Sequence, residues 1–191
     1  MEKGLLGSIV VVSAIVVGTV LAQHSPLHET PSCEFQGPSV SIPIDLSGRK
    51  PSIMATINGK GPVKLLLDTG AGAAVSLEKK LASELGLKVL GTTRVGDPSN
   101  PEAIEADMVA ADSIALGGAT FKNVGGLAWD RSGLYSGDNP PRGILGYPLF
   151  ANCLMTLDYP KGELRLEKGT LDDAAAHVTS FTTAEGGIPQ I

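Results

Sequence analysis

Leu65-Leu66-Leu67-Asp68-Thr69-Gly70-Ala71 is the stretch on which the reading of this chain turns. Consecutive leucines want a core, so the run reads as a buried strand that delivers one carboxylate to its end. A lone ionised carboxylate is costly to bury, so one placed there is shared, hydrogen-bonded or put to use. Gly70 allows a positive φ or the close approach of another group. The Thr69 hydroxyl suits the bracing of a neighbouring backbone group. Asp68, Thr69 and Gly70 are therefore the candidate site residues.

Upstream of that stretch, Val40, Ile42, Ile44 and Leu46 alternate with Ser41, Pro43, Asp45 and Ser47. This period of two predicts a strand, and Pro43 confines it to a sheet edge. After a turn at Ser47-Gly48-Arg49-Lys50, Ser52 to Ile57 predicts a second strand. Asn58-Gly59 is a hairpin signal, and Val63 to Leu67 returns the chain into the Asp-Thr-Gly turn. Downstream, Ser76 to Gly86 predicts a helix, capped by Ser76, with Leu77, Leu81 and Leu85 on one stripe and Gly86 ending it. Val89 to Ile104 is interrupted by Gly91, Gly96, Pro98 and Pro101, which predicts a loop or hairpin. Ile114 to Phe121 reads as strand, glycine turn and strand, and Val124 to Trp129 continues the sheet. Trp129 is core or the wall of a cleft. Asp130 to Arg142 is a polar connection, in which Asp130, Asp138 and Arg142 are expected to be solvated charges.

A second short motif follows at Gly143-Ile144-Leu145-Gly146, and Tyr147-Pro148-Leu149-Phe150 comes directly after it. Met155 to Tyr159 and Gly162 to Leu166 then read as a closing hairpin. In this order, from about Val40 to Leu166, the chain resembles the retropepsin-like aspartic proteases of the Asp-Thr-Gly type, in the manner of an exported bacterial member. The resemblance implies an all-β fold: a closed acid-protease barrel, a single lobe with one or two short helices. It implies that Ile144-Leu145-Gly146 packs behind the Asp68 turn and that Tyr147 to Phe150 is a short helix. It also implies a flap in the Val89 to Ile104 region, with Gly96 to Asn100 as its tip; a solvated turn without a ligand role is the plainer reading of those residues.

The chain has 191 residues with 24 glycines, 13 prolines and 4% aromatics, which suits one turn-rich β domain. A formal charge of −5 with no Lys/Arg cluster argues against nucleic acid as a partner. Leu5 to Ala22 is apolar or small and uncharged, follows Lys3, and ends Val20-Leu21-Ala22 before polar residues. It reads as a signal peptide (1–22) that sends the protein to the periplasm or outside the cell, or else as an uncleaved membrane anchor. Residues 23–38 read as a flexible arm, 39–168 as the protease-like domain and 169–191 as a tail.

Export would expose Cys33 and Cys153 to an oxidising compartment, where they either bridge or remain two unrelated thiols. In the tail, Gly186-Gly187-Ile188-Pro189-Gln190-Ile191 faintly echoes Val40 to Ile44. It is expected to add a strand to a dimer sheet or to begin a second lobe.

Aspartic-protease chemistry needs two carboxylates sharing one proton. The chain carries a single Asp-Thr-Gly, and Asp45, Asp107 and Asp158 lack its apolar-strand and glycine-turn setting. The expectation is a homodimer that pairs Asp68 with its counterpart across a two-fold axis, cleaves peptide or protein substrates, and uses no cofactor. A second lobe could supply the partner instead. A non-catalytic binding or assembly module on the same fold is the alternative. His24, His28 and His177 lie in the arm and tail without ligand spacing, which gives no reason to expect zinc. Neither a nucleophile elbow nor a phosphate loop is present in the sequence.

Overall fold

The computed structural model describes residues 29–96, 103–130, 135, 137–169, 182–183 and 189–190. In chain order its elements are β1 (Ser32–Phe35), β2 (Ser39–Pro43), β3 (Ser52–Ile57), β4 (Lys60–Asp68), β5 (Val75–Glu78), α1 (Lys79–Leu85), β6 (Lys88–Val95) and β7 (Ile104–Leu116). There follow β8 (Ala119–Trp129), β9 (Gly143–Gly146), α2 (Tyr147–Phe150), β10 (Leu154–Asp158), β11 (Glu163–Glu167), β12 (Thr182–Thr183) and β13 (Pro189–Gln190). Strands β8, β5, β9, β4, β3 and β7 pair in that order, and β7 pairs back with β8, so six strands close a barrel. The protein is an all-β barrel with two short helices, as the sequence predicts.

Asn58 and Gly59 both take positive φ, 49° and 73°, which matches the twist a two-residue β3–β4 hairpin needs. Asn58 also docks this turn on β7: its backbone N–H donates to the Ser113 carbonyl at 2.9 Å, and its Oδ1 accepts the Ser113 N–H at 3.0 Å. β2 is the edge of a second sheet, ordered β10-β11-β2, in keeping with Pro43. That sheet contributes Ile42, Leu164 and Leu166 to the one core, alongside Ile53, Leu65, Leu77, Phe121 and Leu145 from the barrel. Phe121 meets Phe150 of α2 edge to face, with ring centroids 5.5 Å apart, a geometry that aromatic quadrupoles favour.

Three elements depart from the sequence reading. The predicted helix Ser76 to Gly86 is a strand followed by a shorter helix. Val75 to Glu78 pairs parallel with β8 and Val75 to Leu77 antiparallel with β9, so Ser76 is a buried strand residue. Glu78 precedes the helix without a side-chain cap, while Leu81 and Leu85 keep their core role and Gly86 ends the helix at φ 71°. The leucine stripe fitted a helix because Leu77 points inward from either element. The second departure is β1, inside the expected arm, which pairs with β8 from Ser32↔Lys122 to Phe35↔Ala119. Its first residues are too polar to announce a strand.

The third departure is Arg142, expected to be a solvated charge. Its Nε and Nη1 each lie 2.8 Å from a carboxylate oxygen, of Glu78 and Glu84 respectively. Its backbone N–H donates to the Lys64 carbonyl and its carbonyl accepts from Glu78 N–H, both at 2.9 Å. Arg142 thereby ties β4, β5 and α1 together.

Both cysteines are free thiols, half-buried against the core, and they lie close enough to act on each other. Burial and the neighbouring Cys153 push the Cys33 thiol up to about 12. Asn152 Nδ2 donates to the Pro31 carbonyl at 3.1 Å, which joins the same two segments beside the thiols. The tail strands β12 and β13 pair with each other. Residues 1–28, which hold the signal or anchor segment, and all three histidines lie outside the described residues. Among the described residues no helix is long and apolar enough to cross a membrane.

Candidate active site

β4 carries Asp68 to the rim of the barrel. Leu65 and Leu67 belong to the core, and the side-chain alternation of a strand then turns Leu66 and Asp68 to its other face. Asp68 is therefore only half-buried, with its side chain 28% exposed. The chain reverses directly after it, Ala71 N–H donating to the Asp68 carbonyl at 3.0 Å. Within this turn Gly70 N–H donates to Asp68 Oδ1 at 3.1 Å. Gly70 does not use a positive φ. Its contribution is the close approach: an added Cβ would sit 3.3 Å from Asp68 Oδ1. Thr69 and Gly70 are both exposed.

The second motif lies behind the turn, as the resemblance implies. β9 runs parallel to β4 with Leu66↔Ile144, Leu67↔Leu145 and Asp68↔Gly146, and antiparallel to β5. Leu145 is fully buried. Gly146 N–H donates to the Ala74 carbonyl at 3.1 Å. A Cβ at Gly146 would run into the carbonyl oxygens of Ala71 and Ala73, so only glycine lets the turn rest against the strand this closely.

In front of Asp68 stands Lys50. Its Nζ lies 2.7 Å from Asp68 Oδ2, which leaves both carboxylate oxygens engaged. The hydrogen bond from Lys50, and then that from Gly70, hold the Asp68 carboxyl below the usual carboxylate range against the opposing effect of burial. The same contact raises Lys50. Lys50 reads in sequence as one charge of a surface turn, and nothing in its local pattern announces this contact. The hairpin signal gives the β3–β4 pairing, but an irregularity between Ala55 and Ile57 shifts the register by one, so that Lys50 and not Arg49 lies opposite Asp68.

The other carboxylates considered from the sequence are placed elsewhere. Asp45 pairs with Lys64 at 2.7 Å and Asp107 with Lys79 at 3.0 Å. Asp158 accepts the Lys161 N–H at 3.0 Å in the β10–β11 turn and pairs with the Lys161 ammonium. Trp129 ends β8 half-buried. β6 and β7 form a hairpin from Lys88↔Ala110 to Val95↔Ile104; of the expected flap tip only Gly96 lies within the described residues. A cavity of about 300 Å³ lined by Ile44, Ser52, Ile53, Met54 and Asn139 opens beside the β3–β4 hairpin, and Asp68 does not line it.

A closed barrel, an Asp-Thr-Gly turn at its rim and an apolar-apolar-glycine strand beneath that turn define the retropepsin-like class of aspartic protease fold. A family model for aspartyl proteases matches residues 53–149, just over half of the 191-residue chain and inclusive of both motifs. The chain belongs to the aspartyl protease family. A comparison with curated proteins found no match.

Proposed function

We propose that this protein is an exported aspartic endopeptidase that works as a homodimer, with Asp68 of two copies forming the reactive pair. The observation that carries the reading is the placement of Asp68: at the rim, half-exposed, on a turn held from behind by Gly146. One such group per chain calls for a second copy, and a two-fold axis through the rim would set the two carboxylates face to face. Two carboxylates a few ångströms apart cannot both ionise readily, so the pair holds one proton.

The ionised member takes a proton from a water held between them, and that water attacks the scissile carbonyl carbon. The protonated member donates to the carbonyl oxygen. The resulting tetrahedral species then collapses with proton transfer to the leaving nitrogen. Thr69 braces the two turns, Gly70 N–H steadies Oδ1, and a polypeptide is the substrate.

The ion pair between Lys50 and Asp68 favours a second reading, a binding module in which the carboxylate is permanently neutralised. Cleavage of an unfolded protein by the full chain, between about pH 3 and pH 7, separates the two. Activity that Asp68→Asn abolishes is the expected result. A folded parent with no activity across that range would leave the binding module standing.

A further inference from the structure

We propose that Lys50 is a gate on Asp68: in the single chain its ammonium occupies the carboxylate, and pairing with a second carboxylate must displace it. The proposal rests on the dimeric reading given above and names a control on that site.

The contact is built into the sheet. β3 and β4 pair with Ser52↔Leu66 and Ile53↔Leu65. One step further, Leu67 N–H donates to the Pro51 carbonyl at 2.9 Å. Continuing that register puts Lys50 opposite Asp68, and cross-strand partners project from the same face of a sheet. Pro51 fixes the backbone next to Lys50, so the lysine is held within reach of Asp68 rather than finding it by chance. Among the described residues, the charged or titratable groups that act on this pair are Lys50 and Asp68 themselves and Tyr135, which lies near Lys50.

The occupied oxygen is the one the reaction needs. Oδ1 is held by Gly70 N–H, so Oδ2 is the oxygen left to meet a water or a second carboxyl, and Lys50 is on it. A paired site must keep one proton on its two carboxyls, whereas an ammonium in contact favours the ionised form of each. Lys50 in place therefore opposes both the pairing and the shared proton. With Lys50 57% exposed, water can accept the ammonium when it leaves. A gate of this strength shifts an equilibrium by up to about fivefold, and the two gates of a dimer by up to about 25-fold.

The test compares the full-length parent with Lys50→Gln and Lys50→Arg. Specific activity is measured against enzyme concentration and pH, and the Asp68 carboxyl is titrated by carbon NMR in dilute protein. Lys50→Gln, which lacks both gates of the dimer, should reach half-maximal specific activity at a concentration lower by up to about 25-fold. At enzyme concentrations that saturate pairing its pH profile should match the parent's, because the ammonium has already left the paired site. Its Asp68 should titrate at higher pH than in the parent, while Lys50→Arg keeps the parent profile.

An unchanged concentration dependence and Asp68 titration would overturn the gate. So would a folded Lys50→Gln without activity beside an active parent, since Lys50 would then be required rather than restraining. If neither protein cleaves, the protease reading fails, and the carboxyl titration alone decides whether Lys50 holds Asp68.

Discussion

The turn that carries Asp68 has a back and a front, and they are made differently. At the back, β9 runs in ladder beside β4, Leu145 is wholly buried, and Gly146 leaves no room for another atom. At the front, Thr69 and Gly70 are exposed and one flexible lysine covers the carboxylate. The back owes its order to close packing, which tolerates little change. The front is held by an exposed ion pair that adds about 0–1 kcal/mol. One face of the turn is thus packed within the chain and the other is open to solvent, the arrangement the proposed pairing of two such turns would use.

The largest effect should fall at the front and leave the fold alone. Under the proposed mechanism Asp68→Asn removes the charge that activates water, so peptide cleavage should drop by about 10²–10⁴-fold or more. Its unfolding curve should stay close to the parent's, because only the weak Lys50 contact is lost. A marked loss of stability in Asp68→Asn would break the contrast, since the front would then be structural.

The back should respond to cross-linking as the front does not. Cys33 and Cys153 join β1 to the chain just after α2, remote in sequence and adjacent in space. Oxidised glutathione should convert the two thiols to a bridge and be reduced to two molecules of glutathione. In the chain-entropy model a loop this long stabilises by about 4–5 kcal/mol. Because burial pushes Cys33 up to about 12, little thiolate is present at neutral pH and the exchange should accelerate as pH rises. Mass spectrometry after alkylation and a thermal melt report the outcome. A bridge that forms without raising Tm would mean that these segments are not fixed in the folded chain.

Gly146→Ala should cost stability where Asp68→Asn does not. The added methyl meets backbone oxygens, which cannot rotate away, so a loss of about 1–3 kcal/mol is expected. Activity per folded molecule should also fall as the turn is pushed outward. Denaturant unfolding measures the first effect and active-site titration the second. A variant as stable as the parent would show the back to be looser than its geometry implies.

The same contrast explains what the sequence could reveal. Local chemistry marked the back: leucines for a buried strand, Ile144-Leu145-Gly146 for its neighbour, Asn58-Gly59 for the hairpin that aligns them. Each of these is a short-range pattern with one physical solution. Lys50 and Arg142 were not legible because their partners are set by strand register and by the packing of α1, and a charged residue in a turn-rich segment looks the same whether or not it has a partner. The helix over Ser76 to Gly86 was half right for a related reason. Leu77, Leu81 and Leu85 satisfy a helical stripe, while pairing with β8 and β9 claims Val75 to Glu78 for the sheet.

Arg142 offers the finest cut, since it supports the back from outside through groups that are partly solvated. Arg142→Met keeps much of the aliphatic stem and removes the contacts to Glu78 and Glu84. Its Tm should fall by less than about 4 °C at neutral pH, the scale of one weak surface contact in a domain of this size. The pH dependence gives the sign. Arg142 holds the Glu84 carboxyl below its ordinary range. The stabilisation is therefore present above the unfolded carboxylate value, about 4.3, and is lost as pH falls through the lower folded value. Parent and variant melts should converge on acidification. A gap that persists in acid would assign the role of Arg142 to its stem packing instead of its charge, and the support of the back would then be apolar throughout.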